Sequence, residues 1–328
     1  MSDQETKTEL RERSAVARRT AFFRSQTGYL VLVIVVVCVV ASILNPRFLS
    51  GRNISNVMQQ ISVLGILTMC MALLMISGNL DISIGSMAGL VGMLFTRMVL
   101  SGRSQGLAVI VVLALSTALG LINGLIISKS KTTPLIITLG MMYVYYGIAL
   151  IISEGRPHSL AGQFEFLGRA KIGPIPFTII VYLAIFLFAY LLRRYTTYGR
   201  RINAIGGNRE AAFLSGINVD LHVISLYAMS GLIVGLGGLV LASRLGMVRA
   251  DSGTGYELQA LAATIIGGIT FEGGRGSLVG AFLGVLLLGI MYNAMNLVGV
   301  SSYMQTIFLG AVIVVATVVS NIGKLKRA

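Results

Sequence analysis

The sequence predicts an all-α fold, a polytopic transmembrane helical bundle of about ten helices, and three observations predict it. The chain is 55% hydrophobic and 12% charged, with a mean hydropathy of +0.85, which excludes an ordinary water-soluble domain. Its apolar residues recur as runs long enough to cross a bilayer instead of forming one patterned core. Its basic residues gather in alternate polar segments, as the positive-inside rule requires.

Taken in order, residues 1–27 form a polar N-terminal tail of mixed charge. Asp3, Glu5, Glu9 and Glu12 argue against a mitochondrial presequence. The first run, Gly28 to Leu44, has no charge and no small-residue cleavage site after it, so it is expected to stay as a helix. Further runs follow at roughly 54–76, 84–100, 107–128, 134–153, 175–192, 222–244, 258–270, 278–297 and 304–322, of which 84–100 and 258–270 are the weakest. Residues 28–322 are therefore expected to be one transmembrane domain, with a polar loop at 193–221 and a short tail at 323–328. If the N-terminus is cytoplasmic and every run crosses, the cytoplasmic segments and both tails hold 17 of the 26 Lys and Arg residues. The net charge of +14 then reports orientation, and no basic patch interleaved with stacking aromatics points to nucleic acid.

The absences narrow the function. Among 12 acidic residues only Asp81, Glu257 and Glu272 adjoin apolar runs, each at an end. Proton- and sodium-coupled carriers place an ionisable group or ion cage near the midplane, and no residue fills that role here. There is no GxxxxGK[ST] phosphate loop, no Ser/His/Asp or Cys/His grouping, and His158 and His222 are too few for a metal site. No catalytic residue and no metal are expected. Cys38 and Cys70 fall inside apolar runs and suggest packing, not a disulfide framework. A chain of this kind that moves a solute uphill must draw its energy from elsewhere.

Glycines at 85/89, 120/124, 231/235, 276/280 and 280/284 form small-xxx-small pairs, the means by which helices approach closely in lipid. Two polar breaks interrupt the apolar pattern, SGNLDISIGS near 77–86 and GGITFEGGRGS near 267–277, each followed by GSxxG and a new apolar run. Non-helical backbone at membrane depth survives only when buried in protein or lining a cavity, and paired broken helices mark transport sites. The alternative is two short turns outside the membrane. Asp81 fits either a helix N-cap or a solute pathway. Neutral polar residues within the runs, among them Asn123, Thr138, Tyr143, Tyr145, Tyr146, Asn293, Asn296 and Gln305, suit interhelical bonding and also a hydroxyl-rich solute.

The polar interlude NAIGGNREAAFLSGINV spans Asn203 to Val219. Asn208 stands where an N-cap belongs, and Gly216 where a helix ends, so Arg209 to Ser215 reads as a short capped helix offered to a partner.

These motifs together resemble the permease subunits of bacterial ABC importers for monosaccharides of the ribose, xylose and arabinose type, close to branched-chain amino-acid permeases. The likeness covers about residues 50 to 322, with landmarks SGNLDISIGS (77–86), NGLIISKSKTTPLIITLGMM (123–142), GRRINAIGGNREAAFLSGINV (199–219) and GYELQALAATIIGGITFEGGRGS (255–277). One departure is Gln259, where the family would more often carry an acidic residue after Glu257-Leu258. The resemblance implies an ATP-driven importer working by alternating access in a bacterial inner membrane, both termini cytoplasmic. It implies no enzymatic activity and no cofactor for this chain, because ATP and Mg²⁺ belong to separate cytoplasmic ATP-binding subunits. The other implied partners are a periplasmic sugar-binding protein, membrane lipid and a second permease chain, identical or paralogous. In the family the EAA-x-x-x-G loop couples to the ATPase, which maps here to Asn208, Glu210, Ala211, Ala212 and Gly216. It also suggests Asn79, Asp81, Ser83 and Phe271 for the solute pathway. The rival readings are an amino-acid permease of the same class, in which a zwitterion uses Asp81 and an arginine near the pathway, and a secondary carrier.

Overall fold

The computed structural model describes residues 26–325, so the basic residues of the first 25 positions, together with Lys326 and Arg327, lie outside the described residues. All ten apolar runs form helices. They are α1 (Gln26–Leu44), α2 (Gly51–Ile76), α3 (Ile84–Leu100), α4 (Gln105–Ser130), α5 (Pro134–Ser153), α7 (Phe177–Tyr195), α10 (Val219–Leu245), α11 (Tyr256–Ile266), α12 (Leu278–Leu297) and α13 (Ser302–Leu325). Seven of these, α1, α2, α4, α5, α7, α10 and α12, are long and apolar enough to cross a membrane. The chain is therefore a multi-pass membrane protein. Three short α-helices lie between them, α6 (Phe166–Arg169), α8 (Thr197–Gly207) and α9 (Arg209–Leu214), and a 3-10 turn, Pro46–Leu49, joins α1 to α2. Two antiparallel pairs of two-residue strands, β1 (His158–Ser159) with β4 (Met247–Val248) and β2 (Lys171–Ile172) with β3 (Ile175–Pro176), tie the loops at the end opposite α9.

The hub is α2. Every residue from Ile61 to Ile76 is buried, and α7, α10, α11 and α12 surround it. A helix apolar on all sides is stable only inside protein or lipid, and α2 takes the first option while α1, packed mainly on α12, takes the second. Several polar residues of the runs bond between helices. Asn53 and Asn293 exchange reciprocal amide bonds at 2.8 Å, joining α2 to α12, and Gln305 donates to Asn296 at 2.7 Å. Tyr143, in contrast, is exposed.

The densest crossing is α4 on α10. Gly120 and Gly124 lie against the backbone of Tyr227, Gly231 and Ile224, and a methyl group on Gly231 would overlap the Ser116 carbonyl. Lipid offers no hydrophobic incentive for helices to associate, so this backbone contact carries the stability. Gly231→Leu is expected to force the two helices apart at a cost of about 1–3 kcal/mol or more. The check is a lowered unfolding temperature of the purified protein in detergent.

Some boundaries differ from expectation. Helix α11 ends at Ile266 rather than near 270, because Gly267 caps it and Gly268 turns at φ +84°. Gly276 precedes α12 at φ +124°, so Gly276/Gly280 is not a helical pair; Gly280 presses on Gly267, the cap of α11, and Gly284 on Ala263 within it. Helix α7 starts at Phe177 because Ile175–Pro176 is taken up in strand pairing. Helix α8 was not anticipated from the sequence.

Candidate functional site

The segment between α7 and α10 is built by caps. Thr196 starts α8 by accepting from the Gly199 amide at 3.1 Å, and Gly199 lies on the backbone of Leu192 and Arg193 so the chain can fold sharply. The buried Ile202 and Ile205 hold α8 to the bundle. Arg193 donates to Asn203 at 3.2 Å, and Tyr198 shares a hydrogen bond with Ser225 at 2.8 Å while stacking on His222. Burial pushes the Tyr198 phenol above its usual range, against the opposing effect of that hydrogen bond.

Asn208 serves two helices at once. Its amide closes α8 on the Ala204 carbonyl at 3.1 Å, and its side-chain oxygen accepts from the Ala211 amide at 2.9 Å to open α9. Glu210 lies in the first turn of α9, where a carboxylate favours the helix dipole. The C-terminus is a Schellman motif: Gly216 donates to Phe213 at 2.9 Å, Ile217 donates to Ala212 at 3.1 Å, and Gly216 adopts φ +80°. Asn218 then caps α10 through the Leu221 amide at 3.0 Å, and Arg209 pairs with Asp220 at 3.1 Å. Helices this short are marginal alone, so the caps and α10 hold α9 in shape. Of its residues only Ala212 is buried, whereas Phe213 and Leu214 are exposed. Asn208→Ala is expected to cost about 0.5–2 kcal/mol of local helix stability, read as faster amide exchange confined to residues 209–216.

The first polar break is buried inside the bundle except for the exposed Gly78 and the half-buried Leu80. Gly78 turns at φ +76°, and Asn79 donates to the Ser77 hydroxyl at 3.0 Å. Asp81 accepts from the Ser83 amide at 2.8 Å and from Asn123 at 3.1 Å, and the Ser83 hydroxyl also donates to it. Tyr145 donates to Asn123 at 2.6 Å, and Tyr227 donates to the Leu80 carbonyl at 2.7 Å. At 1.5 Å per residue, Asn123 sits about 10 Å inside the end of α4, and Tyr227 about 12 Å inside the start of α10. Asp81 and Ser83 are thus gathered with Asn123 and Tyr145 in one buried network in which the carboxylate's partners are all neutral, while the Asn79 side chain, also buried, bonds only Ser77. Asp81 bonds the Ser83 amide while Ser83 occupies the cap position of α3, so the carboxylate stabilises the entry turn without being the N-cap. Phe271, on the second break, is exposed and apart from that network. Glu257 is also buried: its Oε1 accepts from the Gly255 amide at 2.9 Å, and its Oε2 has no hydrogen-bond partner.

The two breaks and α8 meet at a junction of five glycines that sequence reasoning missed. The Gly274 amide donates to the Ile76 carbonyl at 2.8 Å, joining the second break to the end of α2. Gly206 lies directly on that carbonyl, and a methyl group there would also stand 2.6 Å from the Gly274 nitrogen. A methyl on Gly273 would stand 2.6 Å from the Gly78 nitrogen, and one on Gly274 2.8 Å from the Gly207 α-carbon. Backbone therefore touches backbone among three segments distant in the chain. The available signal was the glycine doublets at 206–207 and 273–274, but spacing does not say which doublet meets which.

A family model described as "Branched-chain amino acid transport system / permease component" matches residues 53–317. The ribose import permease protein RbsC of Bacillus subtilis (strain 168) is 38% identical over 297 residues, 90% of this chain and 91% of that one. RbsC of Escherichia coli (strain K12) is 35% identical, covering 88% and 92% of the two chains. The galactose/methyl galactoside import permease protein MglC of Escherichia coli (strain K12) is 32% identical, covering 94% and 98%. No solved structure matches the chain.

Proposed function

The chain belongs to this family of transport-system permease components, and from that membership we propose that it is the membrane-spanning subunit of an ATP-driven ABC importer for a ribose-like monosaccharide. The observation that carries the substrate class is the set of sugar permeases, ribose and galactose among them, aligned over about nine-tenths of both chains. The family description mentions amino acids, but the sugar permeases favour a sugar.

Helix α9, with Asn208, Glu210, Ala211, Ala212 and Gly216, is the coupling element. It faces the cytoplasm in the inner membrane, on the same side as both termini, and docks on a separate ATP-binding subunit through the exposed Phe213 and Leu214. ATP and Mg²⁺ are bound by that subunit, and this chain carries no cofactor. A second permease chain completes the pore, and a periplasmic sugar-binding protein delivers the solute. When the ATP-binding subunits close, α9 moves with α8, to which Asn208 joins it. The glycine junction passes the displacement to Ile76, Gly78 and Gly274, and so to the ends of α2 and of both breaks. Backbone contacts suit this role because they have no rotamers in which to absorb a shift. Asn79, Asp81 and Ser83 lie next to the moved turn, and we assign them, with Phe271, to the solute pathway.

The substrate reading is tested by uptake in proteoliposomes holding the complete importer with its binding protein and ATP. Radiolabelled ribose or a related pentose or hexose is expected to accumulate and leucine is not. Leucine uptake without sugar uptake would assign the chain to the amino-acid branch.

A further inference from the structure

A groove of about 1020 Å³ opens beside α9. One wall is α9 and the turn after it, including Glu210, Phe213 and Gly216, and the other is the end of α4 with the turn from Lys131 to Pro134. We propose that the ATP-binding subunit holds this chain at two places: α9 itself, and the Lys131–Pro134 turn across the groove, which receives an acidic segment of that subunit against Lys131. The inference rests on the coupling role proposed for α9 and adds a second contact to it.

Three observations support the second contact. Lys131 ends α4 at φ +53°, a left-handed position where glycine or asparagine is the usual choice. That turn leaves Lys131 exposed and on the lining of the groove. Among the described residues Lys131 has no ion-pair partner, whereas Arg209 on the facing wall is already taken by Asp220 at 3.1 Å. The exposed Lys129 beside it leaves this wall positive. Finally, Ser128 lines the groove, and its buried hydroxyl has no hydrogen-bond partner, although such groups are normally satisfied. Anything that docks over α9 also covers the groove, so one partner reaches both walls. Its predicted charge is opposite to Lys131, and a lipid headgroup or a second permease chain are the occupants the test must separate.

The test uses the assembled importer. Lys131→Gly keeps the left-handed turn without strain and removes the charge; Lys131→Glu reverses it. Association of the ATP-binding subunit with permease in nanodiscs is expected to slow about threefold for Lys131→Gly and about tenfold for Lys131→Glu at low ionic strength. The difference should fade in high salt, as for a charge at an interface rim. A photo-crosslinking residue at Thr132 should capture an Asp- or Glu-bearing segment of the ATP-binding subunit. Unchanged association of both variants, or crosslinks only to lipid or to a second permease chain, would overturn the second contact. In that event, loss of uptake on altering α9 leaves the coupling role standing, whereas normal association and uptake of both sets of variants removes the coupling role as well.

Discussion

Replacing Glu210 with arginine and Gly216 with leucine together is expected to reduce uptake to background and to abolish stimulation of ATP hydrolysis by loaded binding protein. Both changes fall on the parts of α9 that keep its shape. Arginine in the first turn opposes the helix dipole instead of complementing it, a reversal on the order of 0.3–1 kcal/mol each way. Leucine at φ +80° must adopt a left-handed conformation that costs roughly 1–2 kcal/mol, which undoes the Schellman turn. The bundle should not notice, because α9 buries only Ala212. Expression, membrane insertion and thermal unfolding of the double variant should therefore match the native chain while uptake is lost. Normal uptake by this variant would remove α9 from the mechanism.

Gly206→Val is expected to separate ATP hydrolysis from transport. Its side chain would overlap the Ile76 carbonyl and crowd the Gly274 nitrogen, so α8 must lift away from both breaks. Helix α9 keeps its own caps and its exposed face, so the ATP-binding subunit should still bind and hydrolyse at its basal rate. Uptake per ATP should fall at least tenfold, which corresponds to about 1.4 kcal/mol of lost coupling and lies within the usual cost of overpacking a dense site. Measuring co-purification, basal hydrolysis and uptake on one preparation distinguishes this outcome from misfolding, which would lower all three. Native uptake would mean that the junction is packing alone.

Much of the fold was legible because lipid imposes strong rules. Apolar length located the ten helices α1 to α5, α7 and α10 to α13 to within a few residues, and Asn208 and Gly216 marked the ends of α9 through local chemistry alone. What escaped was long-range. Asp81 and Glu257 stood at the ends of apolar runs and looked peripheral, yet both are buried. The helices they begin start within the bundle, and hydropathy cannot distinguish an interior end from a surface end. Likewise Gly206, Gly273 and Gly274 carried clear signals of tight turns, but their meeting at Ile76 depends on how α8 folds back on the bundle. Helix α8 itself is short and polar on one face, so it lacked the apolar length that located the ten apolar helices. The two breaks, alike in sequence, also differ in surroundings: Asp81 is enclosed, while Phe271 and Arg275 reach the surface.

On the proposed function, this chain is a pore with no energy source of its own, driven through α9. The most direct measurement is sugar uptake in proteoliposomes with and without the ATP-binding subunits, at fixed binding protein, with ATP or an imposed proton or sodium gradient. Concentrative uptake is expected only when the ATP-binding subunits and ATP are both present, and to vanish in the Glu210→Arg, Gly216→Leu variant. Gradient-driven accumulation by the permease alone would contradict the account and make the chain a secondary carrier.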